Sequence, residues 1–122
     1  MRAYPWGDGT PTCALANFWP ASACIGDTAA VGSSPAGISP YGALDMAGNV
    51  WEWVNDWYGS TYYTGSPGAN PQGPATGTFR VVRGGGWDLY GYGLRVADRV
   101  NGNDPSTQDG GLGFRCVGAP GM

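Results

Sequence analysis

Glycine or proline stands at roughly every fourth position of this chain, with 23 glycines and 10 prolines in 122 residues. A helix interior loses about 1 kcal/mol for each glycine and about 3 for each proline, so punctuation this dense excludes long helices. Without a period, such a composition is also typical of disordered chains. The aromatic residues decide against disorder. Six Trp, seven Tyr and three Phe make 13% of the chain while charged residues make only 12%, the reverse of the low-aromatic, high-charge balance that leaves a chain too little apolar surface to bury. One domain over residues 1–122 is expected, with strands joined by long irregular loops, and a chain of this length buries roughly two thirds of its unfolded surface.

The charge inventory excludes whole classes of chemistry. The chain has no His and no Lys, its six cations are all Arg, and Glu52 is its single Glu. Ser-His-Asp triads, histidine metal sites and Cys-His pairs are therefore impossible. Net charge is −3 and no basic cluster exists to follow a phosphate backbone, so nucleic acid is not an expected partner. The first residues carry no apolar leader segment, and no apolar run approaches the roughly 18–20 residues of a membrane span. Of the three cysteines, Cys13 and Cys24 are close enough in sequence to close a short loop or to remain buried thiols, and Cys116 is left over.

The first forty residues read as loop, with punctuation at Gly7–Thr12 and Gly32–Pro40. Gly48 interrupts the one stretch, Ala43–Trp57, where a helix is conceivable. Ala43–Ala47 is expected as a short strand or turn and Val50–Asp56 as a strand. Tyr58–Thr78 is a polar loop. Phe79–Gly84 and Leu94–Arg99 alternate like strands, Val100–Gly111 reads as an open loop, and Leu112–Val117 as the closing strand.

Four segments in order carry a resemblance: Tyr41–Tyr58, which contains GlyAsnValTrpGluTrp; Arg80–Trp87; Leu94–Arg99; and Leu112–Val117. Together they resemble the formylglycine-generating enzyme (sulfatase-modifying factor) family over about residues 4–118, in what looks like the C-terminal half to two thirds of the family's domain. The resemblance implies an α+β fold with little regular secondary structure, a variant of the C-type lectin fold. It also implies calcium as a cofactor.

Two cation sets follow. Asp45 and Glu52 flank an irregular turn at Gly48 that can aim carbonyls between the carboxylates, as a hard cation requires; otherwise Glu52 pairs with a buried Arg and Asp45 caps a turn. The resemblance assigns calcium to the side chains of Asp45 and Glu52 with the carbonyls of Gly48 and Val50. It assigns a second site to Asn17, Phe18, Asp27 and a carbonyl near Ala29. Arg83, Arg95, Arg99 and Arg115 lie in otherwise apolar strand motifs, where a charge needs a partner; Asp56, Asp98, Asp104 and loop carbonyls are the candidates. Trp51, Trp53, Trp57 and Trp87 are expected in the core.

The family's oxidase chemistry is not expected here. The resemblance places two copper-binding cysteines just after a GlyGlySer motif, and soft thiolates suit Cu(I). In this chain Gly84–Arg99 contains no cysteine, and Gly86 stands where the Ser falls. The expected function is a non-catalytic ligand- or protein-binding module, a use to which the variable proteins of diversity-generating retroelements put the same scaffold. The alternative is an accessory domain or inactive relic within a larger enzyme. Asp88, Leu89, Tyr90, Tyr92, Asn101, Asn103, Ser106, Thr107 and Asp109 are the candidate ligand-binding residues, because Tyr supplies contact area at low entropy cost and small polar residues adapt their hydrogen bonds. The ligand would be a protein, a glycan or another small molecule, with self-association a further possibility.

Overall fold

The computed structural model describes residues 1–118. Its only sheet among those residues has four strands in the order β3-β2-β1-β4: β1 (Trp51–Trp57), β2 (Arg80–Arg83), β3 (Val100–Asn101) and β4 (Leu112–Gly113). β1 carries three Trp and a Val, residue types that suit a pleated, half-buried surface. It pairs antiparallel with β2, setting Glu52 opposite Arg83 and Trp53 opposite Val82, and the register shifts before Trp57 meets Arg80. β4 runs parallel to β1, Trp51 lying opposite Leu112. β3 pairs antiparallel with β2 through Val81 and Asn101.

Helical structure is confined, among the described residues, to short 3-10 turns at Pro35–Gly37, Tyr62–Thr64 and Gly91–Leu94. This is the sparse regular structure the glycine spacing requires. Three strand expectations need correction. Leu94 closes a 3-10 turn and residues 95–99 form turns rather than a strand. The reason is local: Gly91 and Gly93 turn the chain, and Arg95 spends its Nε–H on the Tyr92 carbonyl, 3.1 Å away. Pairing resumes at Val100–Asn101, inside the stretch read as open loop. The closing strand is only Leu112–Gly113, and Phe114–Val117 is exposed beyond it.

The core lies mostly beside the sheet. Ala16, Phe18, Ala47 and Leu94 form one buried cluster, with Tyr4, Trp6 and Cys24 packed against it. Val81 and Val82 of β2 and the loop residue Pro5 are buried as well. Trp51, Trp53, Trp57 and Trp87 are half-buried rather than core: a four-strand sheet with two two-residue edges has too little cover to enclose indoles. Trp57 is capped by the Arg80 guanidinium, 3.7 Å from the ring centroid. Cys13 and Cys24 form a disulfide, pinning the loop that delivers Phe18 to the core, while Cys116 is free and exposed.

Candidate functional site

The turn after Met46 organises the molecule. Gly48 has φ +79°, and a Cβ there would stand 2.6 Å from the Asn17 carbonyl oxygen, so only glycine allows the two segments to touch. Asn49 follows with φ 69°, a left-handed conformation that Asn adopts more readily than most residues. Its N–H donates to the Asn17 carbonyl at 2.8 Å, and its carbonyl accepts from Trp87 N–H at 2.9 Å. The side chain is as busy: Oδ1 accepts from Ala29 N–H at 2.7 Å and from Asn17 Nδ2 at 3.3 Å, and Nδ2 donates to the Ala29 carbonyl at 3.1 Å. Sequence reasoning missed this residue; the signal available was an Asn directly after a turn glycine.

The Asn17 set converges on that hub. Asn17 is buried, 4% exposed. Its Nδ2 donates to the Asp27 carbonyl at 2.8 Å, while its Oδ1 is buried with no hydrogen-bond partner. An unsatisfied buried acceptor costs about 1–3 kcal/mol, and a hard cation is a suitable partner for it. The Phe18 carbonyl accepts from Cys24 N–H, the Asp27 carboxylate from Thr28 N–H, and the Ala29 carbonyl from Asn49. Each retains a second lone pair, so the donor chemistry of this set fits calcium.

The Asp45 set is arranged differently. Asp45, Gly48, Val50 and Glu52 line one recess of about 480 Å³ together with Arg115. Asp45 sits at φ 53° and its Oδ2 accepts from Gly32 N–H at 2.7 Å, capping a turn. Arg115 grips Glu52 as a fork, Nε to Oε2 at 2.7 Å and Nη2 to Oε1 at 2.5 Å. The same guanidinium donates to the Leu44 and Asp45 carbonyls. Glu52 in turn holds the Arg115 guanidinium above its usual range, chiefly through their hydrogen bond. A protein cation thus holds one lone pair of each Glu52 oxygen and brings positive charge into the recess, so Arg115 and calcium compete for this set. Among the described residues no three carboxylate or thiolate side chains converge, so a cation at either place rests largely on carbonyl and amide oxygens.

Of the expected partners, the other arginines use loop carbonyls and, among the described residues, not the carboxylates of Asp56, Asp98 or Asp104. Arg83 donates to the carbonyls of Val96 and Asp98, and Arg80 to that of Asn55. Arg95 is exposed. Arg99 lies over the rings of Tyr58 and Tyr63. Carbonyls serve because loops leave many of them outside any ladder.

The candidate ligand-binding residues fall into two groups. Asp88, Tyr90 and Tyr92 are exposed and Leu89 is half-buried. The two tyrosine rings stack with centroids 6.4 Å apart. Leu89 accepts from Trp19 N–H at 2.9 Å, so the disulfide loop forms a wall beside this segment. Trp19, half exposed at 37%, is an aromatic neighbour that sequence reasoning did not single out. Asn101 stands on β3, and Asn103, Ser106 and Asp109 are exposed with Thr107 half-buried on the loop that carries the chain to β4. There the Ser106 hydroxyl and N–H donate to Asp104, holding its carboxyl below the ordinary range. Among the described residues no hydrogen bond joins the two groups.

A family model described as the sulfatase-modifying factor enzyme 1-like domain matches residues 1–120. Over 130 residues the chain is 42% identical to the formylglycine-generating enzyme of Streptomyces coelicolor, covering 95% of this chain and 40% of that protein. It is 44% identical over 116 residues to the serine/threonine-protein kinase pkn1 of Chlamydia pneumoniae, covering 93% of this chain and 17% of the kinase. Treponema denticola variable protein 1 superposes with a TM-score of 0.68 at 29% identity, over 91% of this chain and 39% of that one. The chain therefore spans two fifths or less of the length of these relatives. The fold is the C-type lectin-like variant that the motifs imply, and with nearly every residue matched the chain belongs to the sulfatase-modifying factor enzyme 1-like domain family.

Proposed function

We propose that this chain is a non-catalytic, calcium-stabilised binding module that takes a protein, glycan or other small-molecule ligand on the segment Asp88–Tyr92 and, beyond it, on Asn101–Asp109. The observation that carries the reading is the stacked Tyr90–Tyr92 pair, 54% and 59% exposed, on a segment whose backbone is fixed from behind. Rigid, exposed aromatics on an anchored loop give contact area without an ordering cost. Likeness to a protein called a variable protein supports it. So does the sequence of Gly84–Arg99, which contains no cysteine.

A second reading, an accessory domain within a larger enzyme, is favoured by the kinase relative, of which the matched part is only 17%. Both predict that a CysXaaProXaaArg peptide stays unoxidised with copper present; aldehyde detected by mass spectrometry would refute both.

To test the binding reading, the parent is screened against a glycan array and a displayed peptide library. Joint replacement of Tyr90 and Tyr92 by Ala leaves stability within about 1 kcal/mol of the parent, as exposed positions do, and abolishes the binding found. Unfolding by that change, or binding that survives it, sinks the proposal.

The calcium part rests on the orphaned Asn17 Oδ1. Calcium at a hundredfold above its Kd adds about 2.7 kcal/mol to the folded state, so a chelator lowers Tm and Asn17→Ala removes the difference between the two conditions. Equal calcium-induced shifts in parent and variant place the ion elsewhere.

A further inference from the structure

We infer that Arg115 is a latch on the chain beyond β4 and that calcium opens it, the ion taking the oxygens the guanidinium now holds and residues 114–117 coming free. The inference shares its ion with the proposed function but not its site. The hold is concentrated in one side chain. Arg115 donates to both Glu52 oxygens and to the carbonyls of Leu44 and Asp45. β4 ends at Gly113, and among the described residues no other hydrogen bond ties residues 114–117 to the molecule. Their side chains supply little hold, with Phe114 77% and Val117 91% exposed and Cys116 exposed as well. Without the guanidinium, little orders this stretch.

The hold is also weak enough to exchange. The Arg115 and Glu52 side chains are 34% and 22% exposed, and a solvent-accessible pair favours its closed form only a few-fold. The recess in which they meet is lined by Asp45, Gly48, Val50 and Glu52, which offer the carboxylate and carbonyl oxygens a hard cation takes. Calcium brings two charges to the two carboxylates. The guanidinium brings one.

The recess does not hold both cations at full strength. Like charges a few ångströms apart repel, and Glu52 is the acceptor they share. Competition of this kind is reciprocal: the factor by which the closed latch lowers calcium affinity is the factor by which calcium opens the latch. Since that factor is only a few-fold, even a site as weak as about 10⁻³ M is filled at about 10 mM calcium. A local binding event thereby becomes a change in the order of the chain leaving the sheet.

Cys116 makes the test direct, because the disulfide takes the other two of the three cysteines and a nitroxide attaches there with no substitution. In chelator the parent's spin label moves slowly; about 10 mM calcium speeds it several-fold, and chelator reverses the change. Arg115→Gln carries a mobile label in both conditions and binds calcium a few-fold more tightly by titration calorimetry. Glu52→Gln also breaks the fork, so its label is mobile and calcium leaves it so. The Tm comparison on Asn17→Ala reads the other cation set, so either reading can fail without the other. A parent label that calcium leaves unchanged or slows overturns the inference, as does a label in Arg115→Gln as slow as the parent's in chelator.

Discussion

Replacing Asn49 by Ala probes the hub on which both candidate sites depend. The change removes the acceptor used by Ala29 N–H and Asn17 Nδ2 and the donor used by the Ala29 carbonyl. Three hydrogen bonds at about 0.5–1.5 kcal/mol each amount to roughly 2–4 kcal/mol, with the longest, at 3.3 Å, counted at the low end. Ala must also hold φ 69°, which adds about 1 kcal/mol for a residue with a Cβ and no local compensation. The expected loss is about 3–5 kcal/mol, a large fraction of a small domain's stability. Urea unfolding at fixed m-value measures it. Asn49→Gly separates the terms: it loses the same three bonds and relieves the dihedral, so it should be more stable than Asn49→Ala. A loss under 0.5 kcal/mol for Ala, or a Gly variant less stable than Ala, would refute the reasoning.

Opening the Cys13–Cys24 bridge by double substitution to Ser removes a cross-link with a sequence separation of 11, worth about 3 kcal/mol by chain entropy. Amide exchange at Leu89 should rise with it, since Trp19 donates to that carbonyl; an unchanged urea midpoint contradicts the assignment. Arg115→Gln should cost no more than about 1 kcal/mol in chelator, because the pair with Glu52 is solvent-accessible and screened. The same change frees both Glu52 oxygens, so calcium affinity should rise; a fall in affinity would show that Arg115 does not compete with the ion.

The order of the motifs conveyed the fold, but the extents of the strands did not follow from it. Val50–Asp56 was legible because Gly48 cuts off the helical reading ahead of it, and β1 occupies Trp51–Trp57. Leu94–Arg99 alternates yet is no strand, because the glycines on either side of Tyr92 commit the chain to a 3-10 turn first. Tertiary context overrode a local pattern of two. Phe18 and Leu94 form the core without either lying in a strand; period-based reasoning assigns burial to faces of regular elements and has no means of finding residues delivered by loops. The Asp45, Gly48, Val50 and Glu52 grouping did emerge as one recess. The alternative reading, an Arg on Glu52 and a turn capped by Asp45, is what the structure shows; which Arg it is was not legible, since 63 residues separate Arg115 from Glu52.

The two candidate sites are mechanically joined through backbone rather than through side-chain chemistry. Asn17 accepts the Asn49 N–H through its carbonyl, and the Asn49 carbonyl in turn accepts the Trp87 N–H, one residue before the ligand segment begins at Asp88. On the other side Trp19, two residues after Asn17, donates to Leu89. The segment Asp88–Tyr92 is therefore held at its start by Asn49 and at its middle by the disulfide loop. A cation bound at Asn17 Oδ1 would stiffen both supports at once. On the proposed function, order imposed there before a ligand arrives would lower the entropy that binding must remove, and calcium would raise ligand affinity without touching the segment Asp88–Tyr92.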